Sequence, residues 1–160
     1  MHRFKGKQSY IMGIIFKNLQ MPSITSGRYY MQNRGVIKFR ERKKQILDFG
    51  GIRFGNITPT DIDVLIEYHN KCYVIVEVKY GDVEILFGQK LALERMCDDF
   101  EKAGKPSVFI VSRHEIDNPE EDVTLAKVIA SKYYFRKTWT AAHNETTEEV
   151  IRRFIKKYGD

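Results

Sequence analysis

A chain of 160 residues suits one compact domain, long enough to bury most of its unfolded surface without disulfides or a structural metal. Hydrophobic residues are 42% and charged residues 30%, ordinary values for a globular protein. The longest apolar run, residues 10–16, is too short to cross a bilayer. The net charge of +6 is unevenly spread: residues 1–60 carry 12 Lys and Arg against two acids, Glu41 and Asp48, whereas residues 61–160 carry 15 against 19. A polyanion would find its footprint in the N-terminal third, unless that face is simply solvated.

Residues 1–35 read as an N-terminal extension with turn signals at 21–23 and 26–27. Basic residues precede the run at 10–16, but Lys17 and Asn18 end it and no small-residue cleavage site follows, so it reads as a strand or packed segment and the protein as cytoplasmic. Residues 36–48 read as a helix with Val36, Phe39, Ile46 and Leu47 as its apolar stripe, stopped by Gly50 and Gly51. A short strand is expected at 52–54. Two arms rich in β-branched and aromatic residues, 62–68 and 72–79, flank a turn at 69–71 and predict a hairpin.

A helical pattern runs from Glu84 to Ala103, with Ile85 or Leu86, Gln89, Leu93, Met96 and Phe100 on one face and Gly104 just past its end. Residues 107–112 have the unbroken apolar character of a buried strand. An acidic loop at 117–122 leads to one or two strands within 123–139, where alternation is weak. Thr146 is the expected N-cap of a last helix reaching Lys157. The order predicts an α/β fold: a mixed sheet flanked by helices, with residues 36–112 as core and 113–160 as C-terminal strands and helix of a single domain. Cys72 and Cys97 form no CxxC and read as buried free thiols of a reducing compartment.

The chemistry concentrates in the hairpin. Side chains alternate along a strand, so Asp61, Asp63 and Leu65 share a face, as do Ile75, Glu77 and Lys79, while Val64, Ile66, Val74, Val76 and Val78 turn to the other. A turn centred on Asn70 sets Asp63 opposite Glu77 and Asp61 opposite Lys79. Two acids would then face each other at roughly 5 Å between Cβ atoms, a repulsive arrangement. A hard divalent cation such as Mg²⁺ gives it a reason, because it takes carboxylate oxygens and keeps several waters. The plain alternative is an exposed sheet face kept soluble by Asp, Glu and Lys.

The segment from Thr60-Asp-Ile-Asp through Val76-Glu-Val-Lys79 resembles the PD-(D/E)XK nuclease superfamily, in which one strand begins with an acid and the next ends in (D/E)-x-K. The resemblance covers residues 36–112 and implies a restriction-endonuclease-like αβββαβ core. It implies a Mg²⁺-dependent phosphodiester hydrolase, with Mn²⁺ able to substitute. Asp63, Glu77 and Lys79 would be catalytic, Asp63 and Glu77 would hold metal with the Val78 carbonyl, and Asp61 competes with Asp63 for the first acid. No literal Pro-Asp pair is present, since Pro59 is separated from both. Gln89 stands where some members place a functional glutamine, or it is only an edge residue of the helical stripe; the tyrosine that accompanies it in exonuclease-like members would fall at Leu93.

By the same resemblance the partner is nucleic acid, DNA rather than RNA, and small members of this kind are frequent in phages. Arg34, Arg40, Arg42, Lys43 and Lys44 would contact phosphates, or merely face solvent. Glu41 and His114 are lesser site candidates, and Tyr80 and Gly81 could shape the rim. A catalytically silent nucleic-acid-binding domain and a junction-resolvase-like homodimer are the rival readings. Zinc, serine-hydrolase and P-loop patterns find no support in the sequence.

Overall fold

The hairpin expected from its β-branched arms is the frame on which the rest is built. In a computed structural model, described for residues 48–49 and 51–160, it comprises β1 (Val64–Tyr68) and β2 (Cys72–Tyr80), paired antiparallel. Val64 faces Val76, Ile66 faces Val74 and Tyr68 faces Cys72, the register of a turn centred on Asn70. His69 and Asn70 have φ of 47° and 59°, and Lys71 N donates to Tyr68 O at 2.8 Å. Two left-handed residues in succession make a type I′ turn, whose twist matches that of the strands.

A crossover helix, α1 (Phe87–Lys102), joins β2 to the parallel strand β3 (Ser107–His114). A 3₁₀ turn at Leu125–Lys127 precedes β4 (Ile129–Phe135), antiparallel to β3, and β5 (Thr138–Ala141), antiparallel to β4. The helix α2 (Thr147–Tyr158) ends the chain. The result is an α/β fold with a five-stranded mixed sheet in the order β1-β2-β3-β4-β5. These residues belong to the second of two units into which the chain divides, Leu47–Asp160.

Helices cover both faces, which is why β2 and β3 are buried or half-buried at almost every position, with apolar runs at their centres. On one face Ile75, Phe109, Val111 and Tyr134 pack with Ile85, Leu93 and Cys97. On the other, Val74, Val76, Val108, Ile110 and Ala130 pack with Val150 and Phe154 of α2. Both cysteines are free and buried. Among the described residues no helix is long and apolar enough to cross a membrane.

Several expectations are corrected. Residues 52–54 form no strand: Phe54 and Ile57 exchange two backbone hydrogen bonds around Gly55, at φ +63°, a local turn closing on itself. The helix expected from Glu84 begins at Phe87: the preceding segment is a turn and an irregular stretch tied down by Arg113, whose Nη1 donates to the carbonyls of Gly81 (2.6 Å) and Val83 (3.0 Å). The strand expected to stop at 112 runs on to His114, where Arg113 and His114 pair with Lys79 and Tyr80. Gly104, at φ +75°, takes the left-handed position expected after α1. The helix read at 36–48 and the run at 10–16 lie outside the described residues, apart from Asp48.

Candidate active site

Asp63 immediately precedes β1, and its Oδ2 accepts the main-chain N–H of Val78 at 2.7 Å, fastening the first acid to β2. Glu77 lies near the end of β2 and is only 2% exposed. Lys79, two residues on and so on the same face, donates through Nζ to Glu77 Oε1 at 2.6 Å. Gln89 comes from the first turn of α1 and turns inward: its Nε2 donates to the same Glu77 oxygen at 2.9 Å and approaches the Asp61 carbonyl at 3.4 Å. Its Oε1 lies 3.4 Å from Lys79 Nζ. Asp63, Glu77, Lys79 and Gln89 are therefore one cluster. Asp61 meets it through its main-chain oxygen, while its side chain lies in an exposed residue.

Glu77 is unevenly satisfied. Oε1 receives both Lys79 and Gln89, whereas Oε2 is buried with no hydrogen-bond partner. Burial pushes the Glu77 carboxyl above the ordinary carboxylate range, and the Asp63 charge adds to this, while the hydrogen bond and charge of Lys79 and the bond from Gln89 oppose it. An orphaned carboxylate oxygen is costly and calls for a ligand. A second carboxylate beside it suits a hard cation. Among the described residues no three His, Cys, Asp or Glu side chains gather, so a cation would draw on Asp63 and Glu77, with waters and main-chain oxygen for the rest. That donor set fits Mg²⁺ or Mn²⁺ and not tetrahedral zinc.

The N-terminus of α1 lies at this site and is bare: its N-cap, Leu86, has no capping side chain, and its first turn holds no acid. His114 accepts the Ile116 N–H through Nδ1 at 3.3 Å, a loop-fixing role. Tyr80 donates its hydroxyl to Asp117, and Gly81, at φ +52°, helps line a cleft of about 710 Å³ with Arg113, His114 and Lys127. Arg34, Arg40, Glu41, Arg42, Lys43 and Lys44 lie outside the described residues.

Sequence reasoning overlooked Arg113, Glu84 and Lys132. Arg113 Nη2 pairs with Glu84 Oε1 at 3.0 Å, and Lys132 Nζ lies 3.4 Å from Glu84 Oε2. Arg113 has the parity of Phe109 and Val111 and would have been found had the strand been carried one residue further. Compared with family models, with curated proteins and with solved structures, the chain gives no match.

Proposed function

We propose that this protein is a Mg²⁺-dependent nuclease of the PD-(D/E)XK type, hydrolysing phosphodiester bonds in DNA. The observation that carries the proposal is Glu77: buried, with one oxygen held by Lys79 and Gln89 and the other unpartnered beside Asp63. Asp63 and Glu77 would hold the cation together with the Val78 carbonyl. The bound ion would supply Lewis acidity toward the scissile phosphate and a more acidic water. Lys79, a fixed cation one residue pair from the acids, balances charge developing on the phosphate. Gln89 holds Glu77 in one orientation from a different element. The two free buried thiols suit a reducing compartment such as the cytoplasm, and the basic N-terminal third, including Arg34, Arg40, Arg42, Lys43 and Lys44, supplies phosphate contacts.

The test is incubation with duplex, single-stranded and branched DNA and with RNA, with and without Mg²⁺ or Mn²⁺. Cutting should require the cation and stop with EDTA. Glu77→Gln should reduce it by roughly 10³-fold, the loss of several kcal/mol of charge stabilisation. Lys79→Ala should cut slowly while keeping cation affinity. Branched-DNA cutting by a dimer would make it a resolvase. A second reading has its own support, since the Lys79–Glu77 ion pair lets the site neutralise itself without an ion. Salt-dependent DNA binding that survives EDTA, with no cutting under any cation, would establish that silent binding domain and end the nuclease proposal.

A further inference from the structure

The face that carries Glu77 continues past the acids. Glu77 pairs with Val111 on β3, and Val111 with Lys132 on β4; one step along, Lys79 pairs with Arg113. Lys132 shares the parity of Tyr134 and so lies on the α1 side of β4, where its Nζ lies 5.5 Å from the Trp139 ring centre. Neighbouring strands lie about 4.8 Å apart, so Lys132 stands on the order of 10 Å from Glu77 across two spacings.

Glu84 bridges the two cations, with Oε1 at 3.0 Å from Arg113 Nη2 and Oε2 at 3.4 Å from Lys132 Nζ. A carboxylate with one oxygen on each cation imitates the two non-bridging oxygens of a phosphodiester. The partners are unequally held. The Arg113 side chain is 19% exposed and fastened to two carbonyls, and that of Lys132 is 35% exposed against Trp139; that of Glu84 is 71% exposed, on the irregular segment between β2 and α1. Exposed ion pairs contribute little, so the carboxylate can leave while the cations stay. Lys90 lies over the same Trp139 ring at 5.2 Å, adding charge beside an aromatic wall.

We propose that Arg113 and Lys132 form a phosphate subsite for a nucleic-acid strand running from the Asp63–Glu77 pair toward β4, and that Glu84 fills it until the strand displaces it. The identity of the ligand rests on the nuclease reading above. Trp139, half-buried against Phe109 and Tyr134 and held through Nε1 to Glu94 Oε1 at 2.6 Å, is a fixed ring beside the subsite with Lys90 and Lys132 near it.

The experiment is a binding titration of the full chain with fluorescein-labelled single-stranded and duplex oligonucleotides in EDTA, across a salt series. Glu84→Gln should tighten binding roughly two- to fivefold, the worth of one exposed ion pair. Lys132→Ala should weaken it and reduce the log–log salt slope by about 0.7–0.9. In the Lys132→Ala background Glu84→Gln should bring a smaller gain, because only the Arg113 half of the seat it occupies remains. Trp139, the sole tryptophan, should change its emission on oligonucleotide binding, and less so in Lys132→Ala. A gain that persists undiminished without Lys132 would reduce Glu84 to diffuse charge, and no gain in either background would mean that no phosphate replaces it; either result overturns the subsite. Mg²⁺-dependent cutting, measured separately, keeps the two readings apart. Coupling without cutting supports the subsite on a binding domain, and cutting without coupling removes the subsite but leaves the nuclease.

Discussion

The two faces of the sheet are built to opposite standards. Toward α2, Val74, Val76, Val108, Ile110 and Ala130 meet Val150 and Phe154, and the buried hydroxyls are satisfied: Thr147 Oγ1 donates to Val128 O at 2.8 Å and lies 2.7 Å from Ser112 Oγ. Toward α1 the face is apolar through Ile75, Phe109 and Tyr134 and then becomes charged at Glu77, Lys79, Arg113 and Lys132. The helices follow suit. α2 starts with a full capping box, Thr146 with Glu149, while α1 starts bare. Both faces bury an apolar core, but unmet polar demand gathers on the α1 face, where a ligand can satisfy it.

The comparison breaks most visibly at Phe154, buried against Phe135 and Tyr158. Phe154→Ala should cost about 3–4 kcal/mol in urea unfolding, the usual loss for an aromatic ring from a core, with cation and oligonucleotide affinity of the folded fraction unchanged. Thr147→Val should cost about 1 kcal/mol, since it leaves the buried Ser112 hydroxyl short of a partner, while the Val128 carbonyl keeps the main-chain N–H of residue 147 at 2.7 Å. A loss as small as that of an exposed threonine would show that the α2 face tolerates unmet polar groups.

On the other face the sign should invert. Because burial raises the Glu77 carboxyl, wild-type Glu77 gives its full stability below the ordinary carboxylate pKa and loses it as pH rises through the raised value. Glu77→Gln is neutral at every pH, so without added cation it should be more stable than wild type at pH 7 by about 1 kcal/mol. The difference should fade below pH ~4.3. Mg²⁺ should raise the wild-type melting temperature and leave the variant's unmoved. A variant less stable at pH 7 would mean that the Lys79 ion pair outweighs burial.

The smallest effects sharpen the contrast between the helix starts. Thr146→Ala should cost about 1 kcal/mol by dismantling the capping box, whereas Leu86→Ser should add about 0.5–1 kcal/mol, because Leu86 is exposed and loses no packing. Equal responses in calorimetry would deny that the two ends differ.

The hairpin and its acids were legible because β-branched arms, a turn at Asn70 and strict alternation specify both register and face. Gln89 was legible as part of a 3.6-residue stripe, although only the fold turns it onto Glu77. The stretch 123–139 was blurred for a physical reason: the bulge opposite Val111 and Ser112 interrupts the alternation, so Ala130 and Tyr133 turn to the same face with Ser131 and Lys132 between them. The irregular segment before α1 was illegible because what holds it, Arg113, lies 29 residues further along the chain than Glu84. Local pattern carries no trace of such a bond.

The two cysteines divide between the layers that the sheet separates. Cys72 belongs to the core beneath α2, and Cys97 lies on α1, packed against the other face. Both are shielded, and burial pushes the Cys97 thiol up to about 12, so a thiol reagent reaches it only when the helix lifts away. The chain thus carries a separate reporter for the opening of each layer. Alkylation followed in native buffer, with Cys72 and Cys97 read independently by mass spectrometry, yields two opening free energies from one sample. A ligand that settles on the charged end of the α1 face should slow the labelling of Cys97 while leaving the rhythm of Cys72 alone.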